Sequence, residues 1–307
     1  MMKQIYTLIA SIFVLFAANA QSTELRLNLK KGREYRQSSE ASMTIAQDLN
    51  GENMNIFMVI KGRMVFKVTA VHEKEYEMDV KYEQLSLSMQ MAQGGVEFSS
   101  DQPDENDVFS RILAEMIGKS FQVTMTRTGK IKEVKKIDEL FESIFKSFKE
   151  LSAAEVKQFK AQLMKSYGEK SFRGSMEMVS AIYPDKPVSL GESWIVKTKL
   201  ESGMMADVKT KYTFTANESD HHLIRGVSEI ETLDKDSYIE VDGMPVRYDL
   251  KGEMHSEIKV NKSTGWIVDA KVVQHIYGSA SLKDSPQIPG GMDIPMTIDS
   301  EVNYGDN

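Results

Sequence analysis

Apolar and polar residues alternate over much of the first 135 positions of the chain. Leu25, Leu27 and Leu29 are separated by charged or polar residues, which predicts a half-buried strand. Residues 56–71 are rich in β-branched and aromatic side chains and predict another strand. Alternation returns on both sides of Thr128-Gly129, and this pattern predicts a hairpin with a turn at the glycine.

Two alternating runs between residues 76 and 91 differ in phase. Apolar residues occupy even positions from Tyr76 to Tyr82 and odd positions from Leu85 to Met91. A slip of one residue turns every side chain of a strand to the opposite face of its sheet. We therefore predict a β-bulge at Glu83-Gln84, because one extra residue there keeps both runs on the same face.

Helical periodicity occurs in two parts of the chain. A polar loop is predicted over residues 92–107, and Asp107 is a good N-cap for a short helix over residues 108–117. Apolar residues at spacings of three and four over residues 137–148 predict a second helix. Ser152-Ala153-Ala154-Glu155 matches the capping box that begins a helix, and a further helical segment follows it.

The strands that precede and follow these helices have related beginnings. Gly32 and two polar residues precede Tyr35, and Gly191 and two polar residues precede Trp194. Each part also contains a Thr-Gly turn between alternating segments, at Thr128-Gly129 in the first part and Thr264-Gly265 in the second. We interpret the two parts as duplicated β-rich modules.

These elements predict an α+β fold with curved antiparallel β-sheets, built from two duplicated modules and a central helical insert. An antiparallel sheet buries one face and exposes the other, as the alternation requires. The predicted organisation is a signal peptide over residues 1–20, an N-terminal β-rich module over 21–136, a helical insert over 137–184 and a C-terminal β-rich module over 185–307.

The first 20 residues have the order of a cleavable signal peptide. Lys3 precedes an apolar run over residues 5–17, and Ala18-Asn19-Ala20 is a small-residue cleavage site. The apolar run is shorter than the roughly 20 residues that a membrane-spanning helix needs. We therefore expect a periplasmic or secreted protein that does not span the membrane.

Composition excludes several classes of function. The chain has 38 basic and 45 acidic side chains, a net charge of −7, which is unfavourable for binding nucleic acid. Cysteine is absent, so disulfides, thiol nucleophiles and thiolate metal sites are excluded.

No sequence motif for catalysis or cofactor binding is present. Asp220-His221-His222 is a cluster of candidate metal ligands, but its polar surroundings favour a hairpin turn. An acidic run over residues 97–107 could hold calcium, although it lacks the ligand order of an EF-hand. We expect a non-catalytic protein without a cofactor; an enzyme that uses scattered carboxylates is a remaining alternative.

Methionine is unusually frequent, with 20 residues in the chain. It can fill irregular gaps in a core, line an adaptable apolar cavity, or bind copper(I) through its soft thioether. Copper is disfavoured at this level because the methionines are spread along the sequence. For an apolar cavity, the candidate lining residues are Met78, Met89, Met91, Phe121 and Met125.

The chain also resembles known proteins in its structural motifs. The glycine–polar–polar–aromatic beginnings, the segment from Gly118-Lys119-Ser120-Phe121 to Gly129, and the segment from Tyr183 to Trp194 resemble a family of exported Bacteroidota proteins of unknown function. These motifs are turns and strand starts, so the resemblance implies no active site. The layout is more loosely similar to periplasmic lipoprotein carriers, which have a curved half-barrel with helices on its concave side.

The functional expectation follows from the predicted fold. If the helices leave part of the apolar sheet face uncovered, an apolar cavity remains for a lipid-like or other apolar ligand. The alternative is a structural or protein-interaction module of the cell envelope, whose partner is another envelope protein.

Overall fold

The computed structural model describes residues 22–49, 51–104, 106–202, 204–241, 243–286 and 288–306. The predicted signal peptide, residues 1–20, lies outside the described residues.

Most of the described chain forms one 13-stranded sheet, accompanied by four helices. The strands are β1 (Glu34–Leu49), β2 (Glu52–Val71), β3 (Glu75–Met91), β4 (Gly94–Ser99), β5 (Ser120–Thr126), β6 (Ile131–Lys135), β7 (Ser193–Ser202), β8 (Met204–Asn217), β9 (His221–Thr232), β10 (Ile239–Val241), β11 (Met244–Asn261), β12 (Ile267–Leu282) and β13 (Met292–Gly305). The helices are α1 (Val108–Met116), α2 (Ile137–Phe145), α3 (Ala153–Tyr167) and α4 (Glu169–Ser180). The α+β class with a curved antiparallel sheet is confirmed.

The strand order repeats within the sheet. It runs β6-β5-β3-β2-β1-β13-β12-β11-β9-β8-β7, with β4 paired to β3 and β10 paired to β11. Five strands lie on each side of β13 in the sheet. In both groups the position in the sheet follows the chain order in the same direction, so β1 corresponds to β7 and β6 to β12. All neighbours on this path are antiparallel, so corresponding strands point in the same direction. The two modules are therefore related by a translation along the sheet, and β13 joins them.

Local details repeat as well. The Gly32 amide donates to the Val68 carbonyl at 2.8 Å, and the Gly191 amide donates to the Phe214 carbonyl at 2.7 Å. Next to each acceptor the pairing register shifts by one residue. Both glycines have positive φ, 79° for Gly32 and 84° for Gly191, a conformation that favours glycine. These matching turns and bulges support a duplication.

The predicted bulge in β3 is confirmed. Arg63 pairs with Gln84 and Met64 pairs with Tyr82, so Glu83 is the extra residue. Residues on either side of it keep their apolar side chains on one face of the sheet.

Two other expectations for the N-terminal module were wrong. Leu25, Leu27 and Leu29 are buried, but they do not form a strand of the sheet. Backbone hydrogen bonds join this segment to loops near both Thr-Gly turns instead. The Leu27 amide donates to the Arg127 carbonyl, and the Asn28 amide donates to the Thr264 carbonyl. The predicted loop over residues 92–107 contains strand β4, which forms a hairpin with the end of β3.

The helices begin where the caps predict. The Asp107 carboxylate accepts the amides of Phe109 and Ser110, each at 3.0 Å, and starts α1. Ser152 and Glu155 form the predicted capping box of α3. Helix α2 begins at Ile137, and its N-cap residue Lys136 makes no side-chain capping hydrogen bond.

Helices and sheet share one main hydrophobic core. Phe121 of β5 packs edge-to-face on Phe172 of α4, with 5.0 Å between the ring centroids. The core contains apolar residues of α1, α2, α3 and α4 together with sheet residues such as Phe66 and Phe214 from the two modules. The face of the sheet that contacts these helices is called the helical face below.

Helix α4 lies against both outer strands of the sheet order. The Ile131 amide of β6 donates to the Glu177 carboxylate at 2.7 Å. A Cβ added at Gly174 would be 2.9 Å from the Glu201 amide nitrogen and 3.4 Å from the Lys199 carbonyl oxygen of β7. The helix thus covers edges that would otherwise present unpaired backbone groups.

A second core fills the helical face of the C-terminal module. It includes Val208, Ile230, Leu250 and Ile276 from four neighbouring strands. Close packing here depends on glycine, because a Cβ at Gly252 would lie 2.2 Å from the His275 carbonyl oxygen and 2.8 Å from the Ile276 Cα. Glycine inside a strand permits such close approach.

We expect Gly252→Ala to destabilise the protein by about 1–3 kcal/mol, the usual cost of forcing an extra methyl group into a packed site. The matched control is Gly62→Ala in β2, where the nearest atoms to an added Cβ are 3.5–4.0 Å away. That control should be neutral or stabilising by up to about 1 kcal/mol, because alanine restricts the unfolded chain. Urea unfolding followed by tryptophan fluorescence measures both, and equal destabilisation would contradict this account of the packing.

Candidate functional site

The helical face of the N-terminal module carries a row of apolar residues across four strands. Met43 of β1 lies opposite Met58 of β2, Met58 lies opposite Met89 of β3, and Met89 lies opposite Val96 of β4. Directly opposed side chains in an antiparallel sheet have Cβ atoms about 4.5–5.5 Å apart. The four side chains therefore form a continuous stripe, which we call the methionine row.

A second apolar row lies beside the first. Ile60 of β2 is opposite Leu87 of β3, and Leu87 is opposite Phe98 of β4. On the other side of the methionine row, Ile45 is opposite Ile56. Together these rows form the apolar patch of the N-terminal module.

The apolar patch is accessible to solvent. Ile60 is 38% exposed and Val96 is 41% exposed, and the three methionines of the row are half-buried. Most intervening side chains on the opposite face are polar, for example Ser42, Ser88 and Gln90, although Phe57 and Val59 of β2 also lie there. The strands thus have the alternation of a sheet that buries one face, but their apolar face is only partly covered. Exposed contiguous apolar surface of this kind is typical of binding sites.

The position of α1 explains why the patch stays open. Phe109 of α1 packs on Phe98 with 4.9 Å between ring centroids, and the Ser110 hydroxyl accepts the Ser99 amide at 3.1 Å. After the helix, Ile117 forms a bridge with Tyr82, just before the bulge in β3. The short helix is therefore held at the border of the patch and does not extend over Met58 or Met89.

The structure divides the predicted cavity residues into two groups. Met78, Phe121 and Met125 are fully buried in the main core. Met89 and Met91 are half-buried at the end of β3, in the open part of the face. Met43 and Met58 were missed, because they adjoin Met89 only through the register of strands that are distant in sequence.

The cavity next to α4 is charged. It has a volume of about 540 Å³ and lies between α4 and strands β7, β8 and β9. Its charged lining residues are Arg173, Glu177, Lys197, Lys199, Glu201, Asp207, Lys209, Glu229 and Glu231. This lining does not suit an apolar ligand. The apolar surface that the helices leave uncovered is instead the open patch on β1–β4.

Glu177 combines a structural contact with an unfavourable charge in this cavity. Its carboxylate accepts the Ile131 amide, while partial burial raises its pKa above the ordinary value of 4.5. The folded state holds the Glu177 carboxyl proton more tightly than the unfolded chain does. The contribution of Glu177 to the free energy of unfolding is therefore greatest at pH values below the unfolded pKa. It is lost as pH rises through the folded pKa.

The candidate metal-binding residues of the sequence serve local structure. Asp220 contacts His221 at 2.7 Å beside the turn before β9, and His222 packs edge-to-face on Phe214. Burial lowers the pKa of His222. In the acidic run, Asp107 caps α1 and Asp101 accepts the Gln84 side-chain amide at 2.7 Å. Among the described residues, no group of three or more His, Cys, Asp or Glu side chains could hold a metal ion.

Sequence comparison assigns the chain to a family. The model described as "Family of unknown function (DUF6263)" matches residues 73–267, nearly two thirds of the chain. The chain belongs to this family. The match begins just before β3 and ends at the start of β12, so Met89 of the DUF6263 protein lies inside it and Met43 and Met58 lie outside. The predicted membership in a family of unknown function is confirmed, whereas the Bacteroidota origin and the export stay predictions.

Other comparisons give no functional information about the chain. No curated protein sequence matches it. A similar solved structure is entitled "Lipid-protein interactions in lipovitellin", with 9% identity and a TM-score of 0.49, covering 91% of this chain and 25% of that chain. Another is an outer membrane channel from Pseudomonas putida F1, with 7% identity and a TM-score of 0.23, covering 91% of this chain and 97% of that chain. The chain thus spans about a quarter of the lipovitellin chain, and both TM-scores lie below 0.5.

Within the described part of the chain, none of the helices has the length and apolar character needed to cross a membrane.

Dilute hydrogen peroxide should oxidise Met58 and Met89 well before Met78 and Met125, because oxidation of a thioether to the sulfoxide depends on access. Peptide mass spectrometry of samples taken over time measures the four rates. In denaturant the four rates should become similar, which controls for intrinsic reactivity. Equal rates in the folded protein would show that the patch is not open.

Glu177→Gln keeps an oxygen that can accept the Ile131 amide and removes the charge. We expect the variant to gain stability relative to the wild type as pH rises from about 4 to about 7, by up to about 1 kcal/mol after allowance for solvent screening. Urea unfolding at several pH values measures the difference. A variant that becomes relatively less stable as pH rises would contradict the raised pKa.

Proposed function

We propose that the protein binds a lipid-like or other apolar ligand on the apolar patch of β1–β4. The observation that carries this proposal is the methionine row, an apolar stripe over four strands that remains half-exposed on the face normally buried in such a sheet. Removing apolar area from water provides about 25 cal/mol per Å², so a chain laid along this stripe would gain binding energy without any polar contact.

The residue types of the patch suit a flexible ligand. Methionine has an unbranched, polarisable side chain that adapts to irregular apolar shapes. The isoleucine and leucine residues of the neighbouring rows add surface without hydrogen-bonding groups. Such a surface selects a chemical class, apolar and extended, rather than one defined compound.

We further propose a non-catalytic role in the periplasm or outside the cell. The signal-peptide pattern of residues 1–20 motivates the location. The non-catalytic role is motivated by the lack of a recognisable catalytic motif in the sequence and by the apolar character of the patch.

The test of binding compares two neighbouring positions in β3 that face opposite sides of the sheet. Met89→Lys introduces a charge into the methionine row, whereas Ser88→Lys introduces the same charge on the exposed opposite face. We expect Met89→Lys to weaken binding of a fluorescent fatty-acid probe at least about tenfold, since a ligand would then cover a charge at a cost of more than about 1.4 kcal/mol. Ser88→Lys should bind as the wild type does.

Circular dichroism and urea unfolding check that both variants are folded. Equal affinity of the two folded variants for the probe would refute the assignment of the ligand to this face. Absence of probe binding by the wild-type protein, together with no apolar molecule extracted from protein purified from its own envelope, would refute ligand binding altogether. That result would favour the alternative of an interaction module for an envelope protein.

A further inference from the structure

The three methionines of the row are brought together by pairing between strands. Met43, Met58 and Met89 belong to three adjacent strands, and each is directly opposite the next. Neighbouring strands are about 4.7–4.9 Å apart, so the outer two methionines are separated by about 10 Å at the backbone. Met58 lies between them on the same face.

The length and flexibility of these side chains allow their sulfur atoms to converge. Methionine has three rotatable side-chain bonds, and it is unbranched. Met43 and Met89 can therefore both turn toward Met58, and in that arrangement three thioether sulfurs would surround one point above the middle strand. Because all three side chains are half-buried, that point is accessible from solvent.

Thioether sulfur selects a particular kind of metal ion. Soft sulfur ligands favour Cu(I), whereas Mg²⁺, Ca²⁺ and Mn²⁺ prefer carboxylate, carbonyl and water oxygens. The chain contains no cysteine, so methionine is its strongest soft ligand. We propose that Met43, Met58 and Met89 form a thioether site for a soft monovalent ion, Cu(I).

The surroundings of the three sulfur positions agree with this ion. Ile60 and Leu87 lie in the next row, and Val96 ends the methionine row on β4. These neighbours offer no oxygen ligand, which disfavours a divalent ion that prefers carboxylate or carbonyl oxygens. On the other side Met43 is opposite Ser300, whose hydroxyl is buried and donates to the Gln274 side-chain oxygen at 3.1 Å. The site therefore offers sulfur as its main ligand.

This inference goes beyond apolar-ligand binding, although it uses the same surface. The two functions depend on different properties of methionine: the apolar ligand needs apolar area, and the metal ion needs sulfur. Leucine has similar volume and no sulfur, so a methionine-to-leucine change removes the thioether ligands and keeps the site apolar.

The experiment is an anaerobic competition for Cu(I) against the chromophoric chelator bicinchoninate, with ascorbate present. We expect the wild-type protein to bind one Cu(I) per chain. A triple variant, with Met43→Leu, Met58→Leu and Met89→Leu, should bind Cu(I) more than about 100-fold more weakly. This loss is larger than the one typical of removing an outer-shell partner of a metal site. Circular dichroism and urea unfolding check that the triple variant is folded.

A matched control tests whether any exposed methionine has the same effect. Met205→Leu removes a thioether that is 48% exposed in β8, and it should leave Cu(I) affinity unchanged. Equal Cu(I) affinity of the wild type and the triple variant would overturn the proposal. So would a loss of the same size in Met205→Leu.

A second measurement needs no variant and therefore does not depend on its folding. Nuclear magnetic resonance of wild-type protein labelled at the methionine methyl carbons is recorded as Ag(I), a redox-inert soft ion, is added. We expect the methyl signals of Met43, Met58 and Met89 to shift together and to saturate at one equivalent. Shifts confined to other methionines, or no saturation at one equivalent, would overturn the site.

Discussion

Contact of helix α4 with both outer strands of the sheet holds the helical layer in place. The helix accepts the Ile131 amide of β6 through Glu177 and lies directly on the β7 backbone at Gly174. It therefore connects the two ends of a sheet order in which β6 and β7 are the farthest strands. Helix α3 packs on α4 and α2 contacts β5, whereas α1 is held on β3 and β4 at the border of the apolar patch, which stays uncovered.

The two modules use the same strand order but treat their helical faces differently. The C-terminal module fills its face with its own side chains, and glycines such as Gly252 allow the strands to approach closely. The N-terminal module has Gly62 in β2 without a comparable close approach. Its strand β3 continues past the bulge at Glu83 into the open patch, where it pairs with β4. The same strand order thus occurs once with a packed face and once with an accessible face.

Sequence reasoning succeeded where the determining interaction is local. The bulge at Glu83, the cap at Asp107 and the capping box at Ser152 each depend on a few neighbouring residues. It failed for Leu25, Leu27 and Leu29, because alternation shows which side chains are buried and does not show where the backbone hydrogen bonds go. The methionine row was not visible either, since Met43, Met58 and Met89 become neighbours only through a register set by whole strands.

Strand β13 has a consequence for the order in which the protein can fold. Its residues pair with β1 on one side and β12 on the other, as in the pairs Ile45–Ile298 and Ile276–Ile298. During synthesis β1 emerges early, and its partner strand β13 is made only after β2–β12. Until then the two modules present facing strand edges that nothing joins, and such edges are prone to pair with other chains. Completion of the sheet thus depends on contacts between residues that are far apart in sequence, the kind of contact that slows folding in general.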